Sequence, residues 1–322
     1  MQINQNTFIE VSDALEMGNP AIVEKDYYVV ALLKLLSGLS FDTHAMVFSG
    51  GTALAKSGIK THRMSEDVDI KLIPLDTFQM LSSRAARQKA RKAIYLSILD
   101  AIKDNHIFSV EGDTIRLDEY RYQEINLRYP QAHAISPCLR PFIRLELIET
   151  ELYDTTDTRA ITSLTAEAYK ERPEVDSMAF ASILSTQSEK IISMLRRTAS
   201  FERDPSRTED PALIRHIYDT FYIQSADHVN LKDVINLVGH IIRQDINRFG
   251  AQHPQFVVNP IAELQYGLTL LESNPKFEQR FNQYVTPMVY GNIVISWNEA
   301  FSVFKLLVNS VLDEIDLSPN HI

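Results

Sequence analysis

Residues 48–72 read FSGGTALAKSGIKTHRMSEDVDIKL. A glycine pair, Gly50 and Gly51, ends a short apolar run, and Asp67-Val68-Asp69 opens a second apolar run further on. Small residues at a turn let backbone N–H groups approach a phosphate closely. Carboxylates at i and i+2 of a strand point the same way. Two such acids repel each other unless they share a cation, and a hard oxygen pair suits Mg²⁺ carrying a triphosphate. A glycine turn beside an acid pair is the minimum equipment for metal-assisted nucleotidyl transfer from an NTP.

The neighbouring polar residues have two readings each. Thr52 can offer its hydroxyl and N–H to a phosphate or simply cap a helix. Ser65 can do likewise or stabilise the turn before Asp67. Lys56 and Arg63 can point cations at phosphates or sit as solvated loop charges. Glu146, in the alternating run PFIRLELIE, is the candidate third acid; period 2 puts it on one face with Arg144, so an ion pair is the competing reading. Glu124 in YQEINLRY is the weaker alternative. Asp-x-Asp alone is common on ordinary edge strands; the glycine pair ahead of it, together with the family spacing described next, favours a metal site at Asp67 and Asp69.

Gly50-Gly51-Thr52-Ala53-Leu54 followed by Arg63-Met64-Ser65-Glu66-Asp67-Val68-Asp69 resembles the nucleotidyltransferase AbiEii/AbiGii toxin family, with its MenT-type toxins, within the DNA polymerase β-like superfamily. The superfamily pattern is a Gly-Gly or Gly-Ser turn, a short helix, Asp-x-Asp, and often a third acid on a neighbouring strand. The resemblance extends upstream to Glu24-Lys25-Asp26-Tyr27, where it implies that Lys25 or Asp26 buttresses the site. It resumes in Ser185-Thr186-Gln187-Ser188-Glu189-Lys190 and in Arg215-His216-Ile217-Tyr218-Asp219. There it implies that Lys190 steadies the leaving pyrophosphate and that Asp219 accepts a proton or orients Lys190, with Asp210 an alternative acid. His216 reads as a packing histidine. The resemblance further implies a cytoplasmic toxin that transfers a nucleotide to an acceptor, with tRNA 3′ ends a known class, under a separately encoded antitoxin. A protein or small-molecule acceptor and a non-catalytic nucleotide-binding module are the alternatives.

The chain of 322 residues, 45% hydrophobic, has enough material for one large core or two moderate ones. No apolar run reaches membrane-spanning length, and MQINQNTFIEVSD lacks the basic-then-apolar pattern of a signal peptide. A single cysteine, Cys138, excludes an internal disulfide and fits a reducing cytoplasm. A net charge of −10 is not that of a general nucleic-acid binder, so RNA contact would need a local basic patch. Residues 84–92, RAARQKARK, hold five cations and no acid. Arg84, Arg87 and Arg91 share a helical face that is either solvated or a phosphate track. Arg196, Arg197, Arg203 and Arg207 could form a second such wall.

The elements that must position these residues follow from periodicity. Helices are predicted over 19–38, 52–58 and 82–104, and strands over 45–49, 67–73 and 141–149. A hairpin is predicted within 107–129, turning at Gly112-Asp113. Residues 171–178 read as a linker or irregular connection. Beyond it, helical spacing recurs at 179–199, 211–224, 231–248, 259–271, 276–285 and 296–315, and residues 230–322 carry no chemical motif. The expected class is α+β: a mixed-sheet nucleotidyltransferase core over 1–165, then a helical domain over 166–322 that completes the active-site cleft.

Overall fold

The computed structural model describes residues 4–134, 139–152, 154–291 and 293–317; Cys138 lies outside them. The helices are α1 Gln5–Ala14, α2 Pro20–Ser37, α3 Gly50–Lys56, α4 Asp76–Gln79, α5 Arg84–Asp104, α6 Leu164–Ala168, α7 Ile183–Arg203, α8 Arg215–Ser225, α9 Leu231–Phe249, α10 Pro254–Val258, α11 Pro260–Ser273, α12 Lys276–Tyr284 and α13 Trp297–Glu314. The strands are β1 His44–Ser49, β2 Asp67–Pro74, β3 Ser109–Val110, β4 Ile115–Leu117, β5 Tyr122–Arg128, β6 Ile143–Glu149, β7 Thr156–Ile161 and β8 Val175–Ala181. The class is α+β. One compact unit runs to Ala181 and the second begins at Ser182; Ile59–Thr61 groups with the second, and Tyr290 and Gly291 with the first. Among the described residues no helix is long and apolar enough to cross a membrane.

The first unit is built on one mixed sheet in the order β3-β5-β6-β2-β1-β8-β7, with β4 also paired to β5. Strand β2 lies antiparallel to β1 and parallel to β6. Alternation along these strands sorts the two faces. Val68, Ile70 and Leu72, with Leu145 and Leu147 of β6 and Ile125 and Leu127 of β5, are fully buried against α2 and α5. Full burial of such side chains stabilises by roughly 1.5–3 kcal/mol each. The alternate positions, Asp67 and Asp69, Arg144 and Glu146, and Tyr122 and Glu124, share the opposite face. Helix α2 starts as its sequence dictates: the Asn19 side chain accepts from the Ala21 N–H at 3.0 Å, and Pro20 occupies the first turn.

Two expectations for this unit are corrected. The stretch 171–178 is not simply a linker, because its second half enters β8 beside β1. Pro173 and the surrounding charges mask a strand whose Met178 and Phe180 are buried, with Phe180 edge-on to Phe48 of β1 at 5.1 Å. Nor does Gly112-Asp113 turn a hairpin. Both β3 and β4 run antiparallel to β5 along the same edge, and the reversal comes at Asp118–Tyr120. The glycine marks a slip in register between two pieces of one edge strand, a bulge-like use of glycine.

The cations of α5 are corrected as well. Arg91 is 2% exposed, and its guanidinium grips Glu149 with Nε at 2.6 Å and Nη2 at 2.8 Å, above the ring of Phe78. His44 meets the same carboxylate at 3.0 Å. Arg84 pairs with Glu119, and Arg87 donates to the carbonyl of Leu81. Arg91 therefore belongs to the core and not to a phosphate track, whereas Arg84 and Arg87 stay exposed. Burial opposes ionisation of Glu149, but hydrogen bonds from His44 and Arg91 prevail and bring its carboxyl from 4.5 to about 2. A depressed folded-state value contributes stability that is full above the unfolded pKa and fades as pH falls through the folded one. After discounting for partial exposure, the contribution is roughly 2 kcal/mol near neutrality. Urea melts of the parent and Glu149→Gln should therefore differ most above pH 5 and converge toward pH 2. A gap that stays constant over that range would show that Glu149 is not the acid-sensitive group.

The second unit is helical around one core. Ile191 and Leu195 of α7, Ile217 and Tyr218 of α8, Val238 and Ile242 of α9, Leu264 of α11, Phe281 of α12, and Phe304 and Val308 of α13 meet there. Gly267 lets α11 approach the backbone of α7, since a Cβ would stand 3.0 Å from the carbonyl carbon of Leu195. The apolar spacing of α9–α13 is spent on this packing. The supposed arginine wall also closes on acids of its own unit: Arg196 on Asp245 at 2.7 Å, Arg197 on Asp210 at 3.2 Å, Arg203 on Glu263 at 3.1 Å and Arg207 on Asp204 at 3.1 Å.

Candidate active site

The glycine pair and the acid strand meet at atomic range. Strand β1 ends at Ser49, and Gly50 turns the chain into α3 with φ +78, where glycine alone is unstrained. A Cβ at position 50 would overlap the Asp69 carboxylate and stand 2.7 Å from its Cγ. A Cβ at position 51 would lie 2.8 Å from Ser65 Oγ and 3.4 Å from the Arg63 guanidinium. Bare backbone at both positions thus makes room for Asp69, Ser65 and Arg63. Thr52 is buried and its hydroxyl donates to the carbonyl of Asp67, while Ser49 Oγ donates to the carbonyl of Asp69 at 3.2 Å. These bonds pin the turn to β2. They also commit the Thr52 hydroxyl to positioning.

Lys56 is placed differently from the expectation of a phosphate-facing cation. Its ammonium sits 2.7 Å from Asp26 and donates to the carbonyl of Thr162 at 2.9 Å, so it fastens α3 to α2 and to the stretch before α6. Arg63 is buried, and its guanidinium donates to the carbonyl of Met64 at 2.8 Å.

The charged triplet of α2 would be a solvated face on most helices, yet Glu24, Lys25 and Asp26 are all buried. Each has a partner on a different element. Glu24 accepts from the N–H groups of Ala132 and His133, Lys25 pairs with Glu66 at 2.6 Å, and Asp26 takes Lys56 and the N–H of Leu164. Burial lowers the pKa of Lys25, and Glu66 opposes that fall. Lys25 and Asp26 thus buttress the acid strand and the glycine helix respectively.

Asp67, Asp69 and Glu146 lie on adjacent strands, with Asp69 opposite Glu146 and Asp67 opposite Arg144. The Asp67 carboxylate receives Arg140 Nη1 at 2.6 Å on one oxygen and Arg144 Nη2 at 3.1 Å on the other. Arg144 also meets Glu146 at 3.0 Å. Burial would raise the pKa of Asp67, but the two guanidinium groups outweigh it and hold the carboxyl below its ordinary value. Burial together with Glu146 and Glu124 raises the pKa of Tyr122, keeping its hydroxyl a donor to Glu124 at 3.0 Å. The sequence reading gives Arg140 and Glu66 no role of their own, because the geometry that makes them matter is long-range.

The donor chemistry fits a hard divalent cation. Two carboxylates alternate on one strand face with a third in register beside them. Among the described residues no three His, Cys, Asp or Glu side chains converge as a metal cage. A cation on Asp67 and Asp69 would therefore complete its shell with phosphate and water oxygens, which magnesium sites commonly do.

In the second unit, Lys190 and Asp219 are buried together at 2.8 Å, and Gln187 donates to Thr220 beside them at 3.0 Å. His216 is half-buried on the same helix as Asp219. Asp210 caps the turn at Pro211–Ile214 through the N–H of Ala212 and pairs with Arg197, a structural task.

A family model described as nucleotidyl transferase AbiEii toxin, type IV toxin–antitoxin system, matches residues 34–303. Among solved structures the chain is similar to MenT4, a nucleotidyltransferase toxin from Mycobacterium tuberculosis H37Rv, with a TM-score of 0.63 and 15% identity over 98% of this chain and 91% of that one. A search of curated proteins finds no match. At that identity the structural likeness speaks to the fold, whereas the family match covers the glycine pair, the acid strand and the Lys190–Asp219 pair alike. The chain therefore belongs to the AbiEii nucleotidyltransferase toxins of type IV toxin–antitoxin systems.

Proposed function

We propose that the chain uses Mg²⁺ to transfer a nucleotide from an NTP to the 3′ end of tRNA in the cytoplasm, restrained by a cognate antitoxin. The carrying observation is the seating of the Asp69 carboxylate against the bare Cα of Gly50, which makes the acid pair and the glycine turn one continuous surface. Asp67 and Asp69 would hold the metal, with Glu146 supporting from β6. When bound, the cation neutralises charge developing on the α-phosphate and the departing pyrophosphate. Gly50 and Gly51 leave backbone exposed to the triphosphate, with Arg63 and Ser65 flanking it. Thr52 and Lys56 keep that turn in place from behind. Lys190 is assigned to the pyrophosphate, and Asp219 holds its ammonium ready. The tRNA acceptor is supported by the family resemblance, and Arg91 of α5 does not add to it.

The test supplies each labelled NTP separately to the protein with purified tRNA or with cell protein, with and without Mg²⁺. Label should enter tRNA from at least one NTP, only with the metal. Lys190→Ala should cut the rate about a hundredfold per folded molecule, the scale seen when one transition-state donor is lost. Label in protein but not tRNA would overturn the acceptor. Label in neither, from any NTP, would overturn the reading of the site.

A further inference from the structure

Both oxygens of Asp67 are already occupied by cations. Arg140 takes Oδ1 at 2.6 Å and Arg144 takes Oδ2 at 3.1 Å. A divalent ion that ligates Asp67 must displace these guanidinium groups or sit within a few ångströms of both, where like charges repel strongly. Arg140 is placed by the same buried pair that braces the acid strand. The buried pair Lys25–Glu66 holds Arg140 by its peptide: Glu66 accepts the Arg140 N–H at 2.8 Å, and Lys25 donates to the Arg140 carbonyl at 2.8 Å. The backbone of Arg140 is thereby clipped at both ends while its side chain stays 26% exposed. Arg144 is fixed by the register of β6, and its side chain is 25% exposed. Both side chains reach solvent. Lys25, fully buried, does not.

We propose that Arg140 and Arg144 are exchange residues: they neutralise Asp67 before a cation binds and pass to the triphosphate when a divalent ion takes their place. This rests on the metal-dependent transfer reading above. Guanidinium suits the exchange because its planar fork matches carboxylate and phosphate equally well. The nucleotide brings the new partner in the same event that brings the metal. Metal and arginine thus compete for Asp67 in the free protein and cooperate on the phosphates in the complex.

That reversal gives opposite signs in two binding measurements on the full chain. The first is Mn²⁺ affinity without nucleotide, read from the paramagnetic signal of free ion. The second is affinity for a non-hydrolysable NTP analogue at saturating Mn²⁺. Arg140→Gln and Arg144→Gln should each bind Mn²⁺ alone about tenfold more tightly than the parent and the analogue about tenfold more weakly, the size of one charge-assisted contact. Arg140→Lys, which keeps the charge and loses the fork, should fall between, and it remains testable should Arg140→Gln lose its fold by circular dichroism. Unchanged Mn²⁺ affinity, or weaker Mn²⁺ binding by folded variants, would overturn the exchange and leave the arginines as simple braces. If the parent binds neither Mn²⁺ nor the analogue, it is the transfer reading that fails.

Discussion

Asp69→Asn is expected to lower nucleotide transfer by about a thousandfold or more, the scale of losing a group that acts mainly in the transition state, while leaving the melting temperature close to the parent's. The amide keeps the shape that packs on Gly50 and removes the charge that would hold the metal. Asp67→Asn should be as inactive but also less stable, because it strips the carboxylate from two guanidinium groups that currently share it. Single-turnover transfer with saturating NTP, paired with thermal melts, separates the two outcomes. An Asp69→Asn protein that transfers at the parent's rate would remove Asp69 from the chemistry.

Gly50→Ala should be nearly as damaging, although it removes no catalytic group. Its Cβ would overlap the Asp69 carboxylate, and φ is +78, where a Cβ costs about 1 kcal/mol or more. Gly58 offers the control. It has φ +93 and nothing within 4 Å of the point where a Cβ would stand, so Gly58→Ala carries the backbone cost without the collision. Gly58→Ala is therefore expected to lose some stability and keep its rate per folded molecule, whereas Gly50→Ala loses the rate. Equal losses of rate in both would mean that backbone strain, not the seating of Asp69, is what position 50 controls.

What the sequence reveals here is what is coded locally. The glycine turn and the acid pair stand within one short stretch, and the turn chemistry and the period-2 alternation both speak directly. The longer helices of the second unit, α7, α9, α11 and α13, are legible because their apolar spacing is continuous and Ser182, Asn230, Asn259 and Ser296 cap them. Strand β8 is hidden by Pro173 and by exposed polar residues between buried ones. Arg91 reads as one of five surface cations, yet it lies three and four residues before Ile94 and Tyr95, on the buried stripe of α5. Its depth follows from Glu149, a partner 58 residues away. The same holds for Lys56 with Asp26 and for Arg140 with Asp67, whose meaning lies in pairings that no local window contains.

Strand β8 has a further bearing, on the order in which the molecule is made. Synthesis delivers Gly50, Asp67, Asp69 and Glu146 early, yet β1, which leads into the glycine turn, keeps an open edge until residues 175–181 have left the ribosome. The carbonyl of His62 waits longer, for the N–H of Tyr290 at 2.9 Å. A growing or prematurely released chain thus carries Asp67, Asp69 and Glu146 on a half-built sheet until β8 closes the open edge of β1.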